Sequence, residues 1–309
     1  MILTGLVRER EALCLLQKKY EMYNEKKSKS KIGLKMEYQI SKGLKQHINK
    51  TELDRELELL SNDGYFLRKD VISDELLTTI RAELDIAWEV QLKTFGKDLL
   101  LKLNEWGIVR CLCEENKLFI DLITQPEILK VIDATVGSSS ILHLQNGIIV
   151  DSSKNHNQSI FHRDFPKDFL PSKILSINAL IIIDEFTKET GGTFIVPGSH
   201  KLKELPSDEY MNNNSIPLNA KPGSILFFDS LLWHKAGKNA SQNKRRAINQ
   251  QYTKPFIKQQ IDYPSMIKKD MDMNSRLAQI MGFWSVPSKN LKEFRVSDPN
   301  QRTYKKDQG

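Results

Sequence analysis

The chain has 309 residues, of which 39% are hydrophobic and 28% are charged, and its formal net charge is +7. This composition excludes disorder throughout the chain, because it supplies enough apolar side chains for a folded core. No run approaches the roughly 18 consecutive apolar residues of a membrane-spanning helix, so we expect no transmembrane segment. Three cysteines cannot build a disulfide framework, which favours a reducing, cytoplasmic location.

The positive charge lies at the two ends of the chain. Residues 1–57 carry a net charge of +5 and residues 254–309 carry another +5, whereas residues 58–253 carry −3. Affinity for nucleic acids rests on cationic side chains that face phosphates, so the acidic middle predicts no nucleic-acid partner. Three interpretations of the basic extensions stay open: solvated faces, contacts of a homodimer, or a dock for an anionic surface.

The first predicted region is a helical, basic N-terminal extension over residues 1–57. Apolar residues from Leu6 to Tyr23 recur at spacings of three, four and seven, which is typical of one helix face. A Lys- and Ser-rich linker over residues 26–31 follows, and a second helix is predicted at about residues 50–60.

The next predicted elements are a strand and two helices. A short strand with a turn is expected within residues 64–73. A helix over residues 74–92 follows, with Asp74 as its N-cap. Another helix is expected near residues 125–136, where Pro126 would occupy the first turn.

Short β-branched and aromatic segments separated by turn signals predict strands in the second half of the chain. They cover residues 141–150, 159–165, 174–184, 193–197, 224–229 and 245–253. Many short strands at this spacing favour a mainly β core with flanking helices. Residues 265–309 are predicted to form a C-terminal helix, near residues 271–281, and a polar tail.

The histidines include a candidate metal site. His162 and Asp164 stand at positions i and i+2, so on an extended strand both side chains would leave the same face. His234 is the best third ligand, which would complete a 2-His-1-carboxylate set of the kind that holds Fe(II). His200 competes for the third place but could simply brace a turn, and His143 could be a core histidine.

Arg245 follows His234 by eleven residues, just beyond a turn. A hairpin there would lay the Arg245 strand beside the His234 strand and direct the guanidinium towards the metal. A buried arginine needs an anionic partner, and its planar fork matches a carboxylate, so a small dicarboxylate is expected. Strand alternation leaves Arg246 as a surface residue.

From about residue 60 to 264 the chain resembles the phytanoyl-CoA dioxygenase family of Fe(II)/2-oxoglutarate-dependent oxygenases. The resemblance rests on the segments FHRDFP, GGTFIVPGSHK and GSILFFDSLLWHKAGKNASQNKRRA. It implies a double-stranded β-helix, the cupin-like jelly roll, as the core of a domain over residues 58–264. It also implies that His162, Asp164 and His234 hold iron and form the catalytic centre, and that Arg245 binds 2-oxoglutarate.

The resemblance further implies a dioxygenase that consumes O2 and 2-oxoglutarate. Such an enzyme hydroxylates an unactivated C–H bond of a small-molecule substrate and releases succinate and CO2. Asp164 favours hydroxylation, because halogenating relatives typically replace this carboxylate with a small residue. Desaturation, cyclisation or epimerisation with the same cofactors remains an alternative, as does a non-catalytic jelly-roll binding module.

Three further residues are predicted to contact the cosubstrate. Gln145 stands where family members often place a polar group, Asn178 should share an inward face with Leu180, and Thr193 follows the turn at residues 191–192. For each of them, ordinary hydrogen bonding within a strand is an equally good interpretation.

Overall fold

The structure is a computed structural model. It describes residues 51–152, 157–165, 171–267 and 271–296, together with the strands at residues 38–41 and 44–47. The chain divides into two compact units, Met1–Glu52 and Leu53–Gly309. In the first unit two short antiparallel strands pair from Tyr38 opposite His47 to Ser41 opposite Leu44.

The described residues contain eleven strands and ten α-helices. The strands are β1 (Tyr38–Ser41), β2 (Leu44–His47), β3 (Tyr65–Arg68), β4 (Ile108–Arg110), β5 (Ile141–Val150), β6 (Ser176–Ile182), β7 (Thr193–Ile195), β8 (Ile216–Pro217), β9 (Ile225–Asp229), β10 (His234–Ala236) and β11 (Arg245–Thr253). The helices are α1 (Glu52–Asp63), α2 (Asp74–Phe95), α3 (Lys97–Lys102), α4 (Leu112–Glu115), α5 (Lys117–Ile123), α6 (Pro126–Thr135), α7 (Asp208–Asn214), α8 (Tyr263–Met266), α9 (Arg276–Ile280) and α10 (Leu291–Val296).

Two antiparallel sheets form the core of the second unit. The large sheet has the strand order β3-β9-β6-β11-β5-β4, and the small sheet has the order β10-β7-β8. Leu180, Leu226 and Ala247 of the large sheet belong to the same buried apolar cluster as Ile195 of the small sheet. The sheets therefore pack on each other, and their shared face has room for a site between them.

Helices cover the outer face of the large sheet. Leu84 of α2, Phe119 of α5 and Ile132 of α6 are fully buried in one cluster with Ile181 and Ile248 of the sheet. These side chains alternate along their strands with the inward-facing residues, as the period of two in a strand requires. One face of the large sheet therefore faces the helices and the other faces the small sheet.

Gly147 allows α2 to approach β5 closely. A Cβ atom at this position would lie 2.4 Å from Leu84 Cδ1 and 3.2 Å from Val109 Cβ. A larger residue here would therefore require the Leu84 side chain to move and Val109 to shift slightly.

Most predicted elements of the second unit are confirmed, with three corrections. Ser73, rather than Asp74, caps α2, because its side chain accepts a hydrogen bond from the Leu76 amide. Residues 159–165 do not form a strand, since only His162 makes an isolated bridge, to His234. The C-terminal helix near residues 271–281 is shorter than expected and covers only Arg276–Ile280.

The N-terminal extension differs from the helical prediction at residues 38–41 and 44–47, which form β1 and β2. The predicted helix near residues 50–60 is confirmed as α1. The predicted helix face from Leu6 to Tyr23 and the linker at residues 26–31 lie outside the described residues. Among the residues that the structure describes, no helix is both long enough and apolar enough to cross a bilayer.

Candidate metal centre

Three side chains converge between the two sheets. His162, Asp164 and His234 each offer one ligand atom, and these atoms lie within 4.8 Å of one another. Asp164 Oδ1 lies 3.4 Å from His162 Nε2, and Asp164 Oδ2 lies 3.7 Å from His234 Nε2. This donor set, two imidazoles and one carboxylate, is the facial arrangement that binds Fe(II) and leaves further positions open.

Backbone carbonyls fix the orientation of both imidazole rings. His162 Nδ1 lies 2.8 Å from the Ile160 carbonyl oxygen, and His234 Nδ1 lies 2.9 Å from that of Leu232. A carbonyl oxygen only accepts, so each Nδ1 carries the proton and donates it. Nε2 of both rings is then the atom directed towards Asp164, as second-sphere bonding in metal sites requires.

The charges at the site suit a cation. Burial lowers the pKa of His234 to about 4, so this imidazole is neutral and keeps a lone pair at neutral pH. Burial alone would raise the pKa of Asp164, but the two imidazoles and the Asn178 amide outweigh it and hold the pKa at about 2. The carboxylate is therefore ionised, and it faces the same point as Nε2 of the two imidazoles.

Asn178 holds Asp164 from the large sheet. Its Nδ2 donates to Asp164 Oδ2 at 2.8 Å and to Asn249 Oδ1 at 3.0 Å. The Ser230 hydroxyl donates to Asn178 Oδ1, and Gln251 Nε2 donates to Ser230 Oγ at 3.2 Å. The polar chain therefore fixes both the direction of the Asn178 amide and the position of the carboxylate.

Arg245 is buried on the face of the large sheet that also carries Asn178. Only 2% of its surface is exposed, its guanidinium lies 4.5 Å from the Phe186 ring centroid, and its Nη2 donates to the Gly191 carbonyl at 2.9 Å. Within the described residues, no carboxylate pairs with Arg245 and its Nε has no hydrogen-bond partner. Burial lowers the pKa of Arg245 to about 10, which still leaves it charged at neutral pH.

One cavity connects Arg245 with the three candidate ligands. The other residues that line it are Ile148, Gln158, Leu180, Thr193, Phe228, Ala236 and Asn249. Thr193 thus lies where the sequence placed it, whereas Asn249 was missed. Asn249 follows Arg245 by four residues on the same face of β11, so strand alternation was a signal that could have found it.

The hairpin expected between His234 and Arg245 is wrong, although both side chains reach the cavity. Strand β10 pairs with β7 in the small sheet, whereas β11 pairs with β5 and β6 in the large sheet. Arg246 points the other way, as expected, and its guanidinium pairs with Asp85 and Asp184. The two sheets, rather than neighbouring strands, bring His234 and Arg245 together.

Gln145 does not lie in the cavity. It is fully buried, and its Nε2 donates to the Phe119 carbonyl of α5 at 2.8 Å, on the helix side of the large sheet. His200 does not line the cavity, and its Nε2 lies 3.3 Å from the Ser61 carbonyl oxygen of α1. Asn178 faces inwards as expected, but its contacts are to Asp164 and Asn249 rather than to the cavity.

A family model described as phytanoyl-CoA dioxygenase matches residues 60–247. The chain belongs to the phytanoyl-CoA dioxygenase family. A relative within the curated proteins, "Uncharacterized protein Rv1501" of Mycobacterium tuberculosis, is 37% identical over 268 residues, which are 84% of this chain and 97% of the relative. All the candidate ligands and Arg245 lie inside the segment that the family model matches.

Two solved structures share the fold. HygX from Streptomyces hygroscopicus, with nickel and 2-oxoglutarate bound, superposes with a TM-score of 0.53 at 14% identity over 72% of this chain and 95% of HygX. The α-ketoglutarate-dependent epimerase SnoN from nogalamycin biosynthesis gives a TM-score of 0.52 at 18% identity over 65% of this chain and 80% of SnoN. At this level of identity the likeness extends to the fold alone.

Proposed function

We propose that this protein is an Fe(II)- and 2-oxoglutarate-dependent oxygenase that hydroxylates a small molecule at an unactivated C–H bond. The single observation that carries the proposal is the shared cavity, in which a His-Asp-His set faces a buried guanidinium that lacks a carboxylate partner among the described residues. The family to which the chain belongs supports the same chemistry.

Under this proposal His162, Asp164 and His234 hold the iron, and Arg245 binds the distal carboxylate of 2-oxoglutarate. The Thr193 hydroxyl lines the cavity and is a further candidate contact. Bound iron would supply the oxidising power of the reaction, which consumes O2 and 2-oxoglutarate and yields succinate and CO2. The protein's part is to fix the ligand atoms, neutralise the dicarboxylate and exclude water.

The catalytic domain we propose is a jelly roll over residues 58–264. Facing antiparallel sheets with helices on one outer face support this topology. Three expectations stay predictions from composition and charge. They are homodimer contacts through the terminal extensions, a cytoplasmic location, and the absence of a nucleic-acid partner.

Epimerisation is the second candidate outcome. It is supported by the fold that this chain shares with SnoN, which is an epimerase. Both outcomes use the same cofactors, and the mass of the product separates them, because hydroxylation adds one oxygen atom and epimerisation adds none.

The test is succinate release from 2-oxoglutarate by purified protein with Fe(II). We expect His162→Ala and Asp164→Ala to reduce the rate at least about 100-fold, because each removes one of three metal ligands. Arg245→Gln should lower the affinity for 2-oxoglutarate while Fe(II) binding is retained.

His200→Gln is the matched control, since it changes a histidine that lies outside the cavity. We expect it to release succinate at the rate of the unchanged protein. Equal rates in the parent and in the two ligand variants would refute the assignment of the site.

A further inference from the structure

Asn249 occupies a distinctive position in the candidate metal centre. It lies on β11 four residues after Arg245, so both side chains leave the same face of the strand. Both residues line the cavity that contains His162, Asp164 and His234. Asn249 lies on the large sheet, and His234 lies on the small sheet that faces it.

The orientation of the Asn249 amide follows from its neighbours. The Ser230 hydroxyl donates to Asn178 Oδ1, which leaves only the Asn178 nitrogen to face Asp164 and Asn249. That nitrogen donates to Asp164 Oδ2 and to Asn249 Oδ1. Since Oδ1 of Asn249 accepts this bond, the other atom of the same amide, Nδ2, points away from Asn178.

Nδ2 of Asn249 donates to no protein atom within the part of the chain that the structure describes. It carries two protons, and Asn249 lines the same cavity as the Arg245 guanidinium and the Asp164 carboxylate. Asn249 is only partly buried, so an acceptor on a ligand that enters the cavity can reach this donor.

We infer that Asn249 donates a hydrogen bond to the metal-proximal carboxylate of 2-oxoglutarate. This inference rests on the proposed function and adds a second contact to it. Arg245 would hold the distal carboxylate, and Asn249, beside Asp164, would hold the carboxylate that lies next to the metal. The chain from Ser230 through Asn178 thus orients both a metal ligand and a cosubstrate-binding residue.

The experiment measures the binding of Ni²⁺, and then of 2-oxoglutarate to the Ni²⁺-loaded protein, by calorimetry under identical conditions. In Asn249→Ala we expect unchanged Ni²⁺ affinity and at least about tenfold weaker 2-oxoglutarate binding, the usual effect of losing a hydrogen bond to a charged group. Retained Ni²⁺ binding also shows that the variant is folded.

Asn249→Asp is the second variant, since it replaces the donor with an anion of the same shape. It should bind Ni²⁺ at least as tightly as the parent and 2-oxoglutarate more weakly than Asn249→Ala does, because like charges repel. A purely structural role for Asn249 would not separate the two affinities in this way.

Asn146→Ala is the matched control. Asn146 stands directly opposite Asn249 on β5 but does not line the cavity. We expect both of its affinities to equal those of the parent.

Parental affinity for 2-oxoglutarate in both Asn249 variants would overturn the inference. A parallel loss of Ni²⁺ and 2-oxoglutarate affinity in both variants would also overturn it, because Asn249 would then support metal binding rather than contact the dicarboxylate. If the unchanged Ni²⁺-loaded protein fails to bind 2-oxoglutarate, the proposed function fails first, and the inference fails with it.

Discussion

The Asp164 carboxylate is oriented by the side-chain amide of Asn178, which lies on β6 of the large sheet. Residues 159–165 contain only an isolated bridge at His162, so no continuous strand ladder fixes the carboxylate. The Asp164 backbone amide donates to the Ser230 carbonyl at 3.0 Å, and the fully buried amide of Asn178 orients the carboxylate itself. Side chains that orient a metal ligand commonly determine metal affinity nearly as much as the ligand does.

Asn178→Leu should therefore weaken metal binding without removing any ligand. We expect Ni²⁺ affinity to fall about 10- to 100-fold, the usual range for loss of a group that orients a ligand. Titration calorimetry of the purified variant measures the change.

Gln145→Leu provides the comparison, because it replaces another buried amide on the helix side of the same sheet. It should cost stability but leave Ni²⁺ affinity at the parental value. An equal loss in the two variants would mean that Asn178 acts only through the fold.

Strand alternation explains which site residues could be predicted from the sequence. Arg245 and Arg246 point to opposite faces, as the period of two requires, and the position of Asn249 follows from the same rule. The prediction that Gln145 contacts the cosubstrate assigned it to the wrong face of β5, because the inward face of this strand has to be inferred from its partner strand. Gln145 pairs with Gln250, which is one residue out of step with the inward-facing Asn249.

At the scale of elements, most strands of the core were predictable, whereas the pairing of the short strand β10 was not. Strand β11 matches its predicted bounds, because nine consecutive residues carry a clear β pattern. Strand β10 has three residues, and its partner β7 lies about forty residues earlier in the chain. Pairing at that distance depends on the packing of the two sheets, which local sequence does not encode.

The cap of α2 is a testable element. Ser73→Ala removes the oxygen that accepts from the Leu76 amide at 3.3 Å, and we expect a loss of about 1 kcal/mol in the free energy of unfolding. Denaturant titration measures it.

Thr78→Ala is the control for the cap, since it alters an exposed hydroxyl inside the same helix. This change should be neutral or slightly stabilising, because alanine has the higher helix propensity. If Asp74→Ala destabilises the protein and Ser73→Ala does not, Asp74 is the cap after all.

At the scale of the whole molecule, both sheets contribute to one site. His234 begins a strand of the small sheet and His162 bridges to it, whereas Arg245 and Asn178 lie on the large sheet. A ligand that engages all of them binds only when the sheets are packed, so it should stabilise the folded state.

Nickel should also raise the thermal unfolding midpoint, because its three ligands come together only in the folded protein. At about 100 times the dissociation constant, the gain of about 2.7 kcal/mol corresponds to a shift of roughly 5 °C or more for a domain of this size. Differential scanning calorimetry measures the shift, and Asp164→Ala should show little of it. The same shift in that variant would place the nickel elsewhere.

The division of the site between two sheets also bears on the rate at which a dicarboxylate leaves. Its two ends would be attached to groups on both layers, so release would require either loss of the Arg245 contact or a brief separation of the layers. Coupling of this kind is reciprocal in free energy, because packing of the layers favours binding of the dicarboxylate, and the bound dicarboxylate favours packing of the layers. Amide hydrogen exchange in β7 and β10, the layer with the shorter strands, would then report cosubstrate occupancy.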